Sequence, residues 1–187
     1  MHTPDEYLAL EATTEIKHEY YHGEIFAMAG TSREHNQISR QLFGELFSLL
    51  EGRDCIPYTS DTRVKVQATG LYTYPDLAIA CKPLHYDAGG SETLLNPRVL
   101  IEVLSPGTMD HDLGFKFKHY RQIPSLQEIF YVSQTEPFVD RYLRQANNEW
   151  LLTSVSGLEA VLEFTSIGCQ VPMRLIYADV EFPPATA

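Results

Sequence analysis

The sequence predicts an α/β protein in which a mixed sheet of about five to seven strands lies between helices. Two short segments, residues 77–81 and 98–104, are apolar on both faces, which is typical of strands inside a sheet. Residues 32–51 instead carry Ile38 and Leu42 at the spacing of one helix face. With 187 residues, of which 44% are hydrophobic, the chain is long enough to form a core.

The N-terminal half begins with a helix and a hairpin in this prediction. The segment Thr3-Pro4-Asp5-Glu6 has the spacing of a capping box with proline at the first helical position, so a short helix starts there. Residues 17–30 have the pattern of a hairpin that turns near His22-Gly23. Two strands, residues 55–59 and 62–67, are expected after the long helix, which Gly52 ends.

The C-terminal half is predicted to add strands to the sheet and one helix to its side. Residues 84–97 form a long loop between the two apolar strands, and loops of this length often bind ligands. A helix is expected over residues 110–122, before Ile123-Pro124. Strand-like runs follow at 128–133, 138–144 and 149–155, and a short helix at 173–179. We expect a single domain over residues 1–187, with a disordered tail at 183–187.

Composition excludes several classes of protein. No window approaches the ~18 apolar residues of a transmembrane helix, and no signal peptide is recognisable, so we expect a cytoplasmic protein with no membrane partner. The net charge of −11 argues against strong nonspecific binding of DNA, although it leaves room for a local basic strip or a metal site. Cys55, Cys81 and Cys169 form no CxxC pair, and we expect three free, buried thiols.

Two carboxylates stand out because they lie on the two apolar strands. Asp76 precedes the first strand, and Glu102 interrupts the second. An unpaired carboxylate inside an apolar strand costs several kcal/mol, so something must compensate Glu102. If the strands are neighbours, the two carboxylates converge and suit Mg²⁺ or Mn²⁺, which prefer oxygen ligands. A metal ion held there can activate water and hold a phosphate oxygen, as phosphodiester hydrolysis requires.

Lys116 is the third candidate, on the predicted helix after Glu102. With Leu113, Phe117 and Tyr120 as the core face, Lys116 lies at the edge of that face, where its ammonium can reach a cleft. Phe115 is predicted to lie on the outer side and to contact a partner.

Each of these residues also has a structural interpretation. Lys116 is spaced from Asp112 as an ordinary helical ion pair. Asp76 can cap a strand or accept backbone hydrogen bonds. Glu102 can form a buried salt bridge with Arg63, Lys65 or Lys116.

Glu24 and His35 are weaker candidates for the same cleft. Glu24 follows the predicted hairpin turn, and His35 lies on the inward side of the long helix, three residues before Ile38. A surface or capping role for Glu24 and a core or rim role for His35 explain the pattern equally well.

The order and spacing of these segments resemble one known family over nearly the whole chain, from about residue 6 to 182. The segments "HEYYHGEIFAMAGTSREHNQIS", "YPDLAIAC", "LIEVLSPGTMDHDLGFKFKHYRQIPSLQEIFYV" and the late "RYLR" and "EW" resemble the Uma family of putative restriction endonucleases. That family belongs to the PD-(D/E)XK nuclease superfamily.

The resemblance implies a restriction-endonuclease-like fold and a nuclease that depends on Mg²⁺ or Mn²⁺. Asp76 matches the motif aspartate and Glu102 the second acidic ligand. The superfamily lysine two residues after the glutamate is replaced by Leu104, and Lys116 matches a lysine on the following helix in the family's looser pattern.

The resulting hypothesis is an endonuclease that cuts nucleic acid, with DNA as the expected substrate, and that forms a homodimer. Asp76, Glu102 and the backbone carbonyl of Val103 hold the metal ion, and Lys116 orients the attacking water. The alternative is a nuclease-fold protein without activity that serves as a binding or assembly module. The missing lysine at position 104 and the acidic charge favour this alternative.

Overall fold

The structure is a computed structural model, and it describes residues 1–28, 30–87 and 92–182. The predicted disordered tail lies outside these residues. The strands are β1 (His18–Tyr21), β2 (Glu24–Ala27), β3 (Cys55–Thr59), β4 (Val64–Val66), β5 (Leu71–Thr73), β6 (Leu77–Cys81), β7 (Pro97–Leu104), β8 (Glu128–Ser133), β9 (Phe138–Arg144), β10 (Trp150–Ser156), β11 (Val161–Phe164) and β12 (Cys169–Pro172). The helices are α1 (Pro4–Glu11), α2 (Arg33–Leu50), a π-helix (His111–Lys116), α3 (Phe117–Tyr120), a 3₁₀ helix (Thr165–Ile167) and α4 (Met173–Ile176).

The central sheet is mixed, as predicted, and has six strands in the order β10-β9-β8-β7-β6-β3. β7 and β8 are parallel, whereas β6 pairs antiparallel with β7. A parallel pair needs a crossover connection, and the π-helix and α3 lie within the one between β7 and β8. The two interior strands of the sequence prediction, residues 77–81 and 98–104, are therefore neighbours, and neither is at an edge of the sheet.

The two faces of β7 pack against different parts of the protein. Ile101 and Val103 belong to the core cluster that includes the apolar side of α2. Leu100 and Leu104 point to the opposite face and pack in a cluster with Tyr120. Because side chains alternate along a strand, Glu102 shares this second face.

A second sheet lies outside the central one, with four strands in the order β2-β1-β5-β4. The predicted hairpin around His22-Gly23 is confirmed as β1 and β2. The predicted strand 62–67 is shorter, as Val64–Val66, and pairs with Leu71–Thr73, a strand that the sequence analysis missed. At the N-terminus, the predicted capping box of Thr3 and Glu6 begins α1.

The predicted helix over residues 110–122 is present, but its first part does not have the α-helical spacing that the prediction used. Residues 111–116 form a π-helix, and only Phe117–Tyr120 is α-helical. A π-helix bonds residue i to i+5, so the spacing of an α-helix does not apply. As a result both Asp112 and Lys116 are buried. The prediction had placed Lys116 at the edge of the helix's core face. Phe115, predicted to face outward, packs its ring against those of Tyr21, His111 and His119.

The prediction of three free thiols is also wrong. Cys55 and Cys81 are directly opposite each other in the β3–β6 pairing and form a disulfide. Cys169 is the buried free cysteine of the protein. The pairing depends on the register of two strands 26 residues apart, which cysteine spacing alone cannot reveal. Within the residues described, no helix is long and apolar enough to cross a membrane.

Candidate active site

A cleft of about 400 Å³ opens at the end of the central sheet where β6 begins and β7 ends. Its walls come from three places: β1 and β2 of the second sheet, the start of α2, and the segment from Ser105 to Lys116. Four predicted residues line it, namely Asp76, Glu102, Lys116 and His35, together with Val103.

Asp76 and Glu102 are brought together by strand register. Leu77 is paired with Ile101 in the antiparallel β6–β7 ladder, so the next residues outward are Asp76 and Glu102. The expected adjacency of the two strands is therefore confirmed. Asp76 Oδ2 accepts a hydrogen bond of 2.7 Å from the backbone N–H of Val103. Asp76 thus accepts a backbone hydrogen bond, which is one of the roles that the sequence left open, and its side chain still lines the cleft.

Glu102 is buried, and of the three salt-bridge partners that the sequence allowed, it pairs with Lys116. Its Oε1 accepts hydrogen bonds from Tyr120, at 2.6 Å, and from Lys116, at 3.2 Å. Arg63 and Lys65 are engaged elsewhere, with Tyr74 and Asp87 respectively. Burial, together with the negative charges of Asp112 and Asp76, raises the pKa of Glu102 to about 8, against the lowering effect of Lys116. The site therefore has more negative charge than its own lysine neutralises.

Lys116 lies at the centre of the acidic cluster. Its Nζ is 3.1 Å from Asp112 Oδ1, 3.2 Å from Glu102 Oε1 and 3.4 Å from Glu19 Oε1. Its side chain is 6% exposed. Burial on its own lowers the pKa of Lys116, but the negative charge of Glu102 and its other neighbours raises it well above its ordinary value. The ammonium is therefore charged, and the helical ion pair with Asp112 is one of its three contacts.

Glu19 is a site residue that the sequence analysis missed. It lies on β1, is 6% exposed, and bonds Thr73 at 2.5 Å and His111 at 3.1 Å. Burial alone raises the pKa of Glu19, but the bond from His111 and the charge of Lys116 lower it to about 2. The signal was the same as for Glu102, a carboxylate within a strand of large apolar residues. Glu19 and Glu24 lie on the same face of the hairpin, and only the packing of that face shows that Glu19 is buried while Glu24, beside the turn, is exposed.

The two weaker candidates separate in the structure. Glu24 is exposed on β2 and is not among the described residues that line the cleft, so its expected place there is wrong. His35 is buried at the start of α2, and its Nε2 is 3.1 Å from Asp76 Oδ2. Among the described residues, its Nδ1 has no hydrogen-bond partner. His35 and the backbone N–H of Val103 therefore both contact the Oδ2 atom of Asp76.

The donor set of the cleft fits a hard divalent cation that keeps several waters. Within the described residues, no group of three His, Cys, Asp or Glu side chains is arranged to hold a metal ion. Mg²⁺ does not need such a cage, since it is commonly bound by one or two carboxylates with water and substrate phosphate. Asp76 Oδ1 and Glu102 Oε2 accept no hydrogen bond from the described residues, so both oxygens are available.

The backbone carbonyl of Val103 is the third oxygen that the sequence analysis expected at the metal site. The N–H and C=O of one strand residue point to the same edge, and the N–H of Val103 points to Asp76. Its carbonyl therefore faces the gap that β6 leaves beyond Leu77.

The six-stranded mixed sheet and its flanking helices form a restriction-endonuclease-like fold. A family model described as "Uma2: Putative restriction endonuclease" matches residues 4–174. The chain belongs to this family.

Similar proteins support the assignment over most of the chain. Two uncharacterized proteins of Synechocystis sp. (strain ATCC 27184 / PCC 6803 / Kazusa) are similar to it. Protein slr1290 is 35% identical over 180 residues, which is 96% of this chain and 93% of that protein. Protein sll1609 is 32% identical over 163 residues, 87% of this chain and 92% of that protein.

A crystal structure from Anabaena variabilis ATCC 29413, described as a putative nuclease belonging to DUF820, has the same fold. It aligns with a TM-score of 0.77 and 19% identity, and covers 95% of this chain and 98% of its own.

Proposed function

We propose that the protein is a Mg²⁺-dependent endonuclease that hydrolyses phosphodiester bonds of DNA. The observation that carries the proposal is the meeting of Asp76 and Glu102 at adjoining strand ends, opposite the buried ammonium of Lys116. Two carboxylates beside a lysine supply the ligands and the positive charge that phosphodiester hydrolysis uses.

In this proposal, Asp76, Glu102 and the carbonyl of Val103 hold the ion. When bound, Mg²⁺ supplies Lewis-acid chemistry, drawing charge from a phosphate oxygen and making water more acidic. In the reaction, a water oxygen forms a bond to phosphorus while the bond from phosphorus to one ester oxygen breaks. One proton of the water ends on the leaving oxygen, which becomes a hydroxyl, and the other stays on the product phosphate or passes to solvent.

The remaining residues of the cleft set the positions and charges of these groups. The Tyr120 hydroxyl and Lys116 hold Glu102 in one orientation, and His35 and the Val103 N–H do the same for Asp76. Lys116 offsets charge that develops on the phosphate, and a buried positive group is effective there because little water screens it.

A specific observation favours the alternative of a binding module without activity. A lysine ammonium has three N–H groups, and three carboxylate oxygens lie within 3.4 Å of Lys116 Nζ. Lys116 can orient water only if one of these carboxylates releases it. The two functions therefore differ in whether Lys116 becomes free when substrate and ion bind.

The test is cleavage of supercoiled plasmid by purified protein with Mg²⁺ or Mn²⁺. We expect slow cutting by the wild type and a roughly 10²–10³-fold slower rate for Asp76→Asn, because a catalytic ion contributes several kcal/mol. Glu24→Gln is the matched control, since it removes an exposed carboxylate that does not line the cleft, and it should cut like the wild type. Equal rates for all three proteins would mean that the cutting comes from another site or a contaminant. If the wild type cuts no DNA with either ion, the binding module is the better function.

A further inference from the structure

Two half-exposed rings, those of Phe26 and His111, are among the described residues that line the cleft. Phe26 lines it from β2 and is 46% exposed, although large apolar side chains are usually buried. His111 lines it from the π-helix, and 46% of its side chain is exposed. The wall between them includes the buried carboxylate of Glu19.

Glu19 is the common neighbour of Phe26 and His111. Phe26 is the cross-strand partner of Glu19 in the β1–β2 hairpin, so both side chains project from the same face. His111 Nε2 lies 3.1 Å from Glu19 Oε2. Phe26 and His111 therefore both adjoin one carboxylate, and that carboxylate is 3.4 Å from the ammonium of Lys116.

The His111 ring is held in a fixed plane by further rings behind it. It stacks on Phe115 with centroids 4.8 Å apart and an angle of 21° between the planes. Phe115 in turn packs on His119 at 4.5 Å and on Tyr21 at 5.3 Å. A ring that is stacked on one side and half exposed presents its other face to a ligand without losing rotamer freedom on binding.

The chemistry of these rings matches a nucleobase. Every base has a flat π-face that stacks on aromatic side chains regardless of sequence. Stacking also needs no positive surface, which suits a chain of net charge −11. A base inside a duplex is covered on both faces, so it can reach a protein ring only when the strand is single or the nucleotide is turned out of the helix.

We propose that Phe26 and His111 form a base-stacking site for a nucleotide next to the scissile phosphate, and that the protein prefers single-stranded or unpaired DNA. The inference rests on the proposed nuclease function, because it takes the phosphate to lie at Asp76, Glu102 and Lys116. The volume of about 400 Å³ lies in the range of ligand-binding clefts, roughly 300–1,000 Å³.

The test measures binding and not cleavage. Fluorescence anisotropy gives Kd values in Mg²⁺ for a labelled oligodeoxynucleotide with phosphorothioate linkages, which resist hydrolysis, as a single strand and as a duplex. Phe26→Ala should weaken single-strand binding about tenfold and change duplex binding less than twofold. Phe26→Trp should restore the affinity. Phe47→Ala is the matched control, because Phe47 is 56% exposed on α2 and is not among the described residues that line the cleft.

The outcomes separate this proposal from the nuclease function. Ring-dependent single-strand binding without any cleavage would support the stacking site and count against the enzyme. Cleavage of duplex plasmid with no effect of Phe26→Ala on binding would keep the enzyme and overturn the stacking site. If Phe26→Ala weakens binding of the single strand and the duplex equally, or weakens neither, the stacking site is also overturned. The exposed Phe26 would then be better explained as a contact for another protein.

Discussion

Removing the charge of Lys116 should destabilise the protein strongly. One of the two interpretations of Lys116 from the sequence was an ordinary helical ion pair with Asp112, which contributes about 0.3–0.5 kcal/mol. The structure instead buries Lys116 among three carboxylates at 3.1–3.4 Å. Breaking a buried ion pair from one side costs about 3–5 kcal/mol, because the opposite charge stays buried without a partner. We therefore expect Lys116→Met to lower the free energy of unfolding by about that amount.

The assay is urea denaturation followed by circular dichroism. With a slope of about 2 kcal/mol per molar urea, a loss of this size moves the midpoint by roughly 2 M. Lys118→Met, at an exposed position two residues along, is the control and should change the free energy of unfolding by less than about 0.5 kcal/mol.

The loss of unfolding free energy in Lys116→Met should also depend on pH, and the pKa of Glu19 determines the direction of that dependence. Burial alone raises the pKa of Glu19, but His111 and Lys116 lower it to about 2 from its ordinary 4.5. In the wild type this carboxylate therefore stabilises the fold above about pH 4.5, and the effect is lost as the pH falls through about 2. Without Lys116 its folded pKa rises, so the folded variant takes up protons more readily as the pH falls.

The difference in free energy of unfolding between the wild type and Lys116→Met should accordingly be smaller at about pH 5 than at about pH 8. A loss no larger than that of Lys118→Met, or a loss that stays constant over this pH range, would refute the reasoning. Lys116 would then be exchanging its carboxylate contacts for water in solution.

Two further predictions concern the ion site and the cysteines. Mn²⁺ should raise the melting temperature by binding the folded state, and Glu102→Gln should remove most of this increase. His35→Ala should weaken the Mn²⁺ affinity, measured by calorimetry, about 10–100-fold through the orientation of Asp76, so an unchanged affinity would show that His35 is only a packing residue. Alkylation of the unfolded, unreduced protein should modify only one cysteine, Cys169, as read by mass spectrometry, whereas three modified cysteines would mean that the disulfide between Cys55 and Cys81 is absent in solution.

The sequence by itself determined the elements whose signals are local. The apolar runs at 77–81 and 98–104 are visible as interior strands, and α2 is visible from its helical spacing, because both patterns repeat within a few residues. The predicted carboxylates were found the same way, since a charge such as Glu102 within an apolar strand has to be compensated wherever the strand lies. These inferences needed no knowledge of which segments are neighbours.

Tertiary structure alone decided which residues meet. Register between β1 and β2 places both Glu19 and Glu24 on one face of the hairpin, and only Glu19 is buried there, against His111 and Lys116. Register between β3 and β6 places Cys55 opposite Cys81. A shift of one residue would reverse every side chain of a strand, and the sequence of one strand does not contain its register with another. Lys116 shows the same limit. Two of the three carboxylates around it, Glu19 and Glu102, come from β1 and β7, and they meet Lys116 only once those strands have packed against the π-helix.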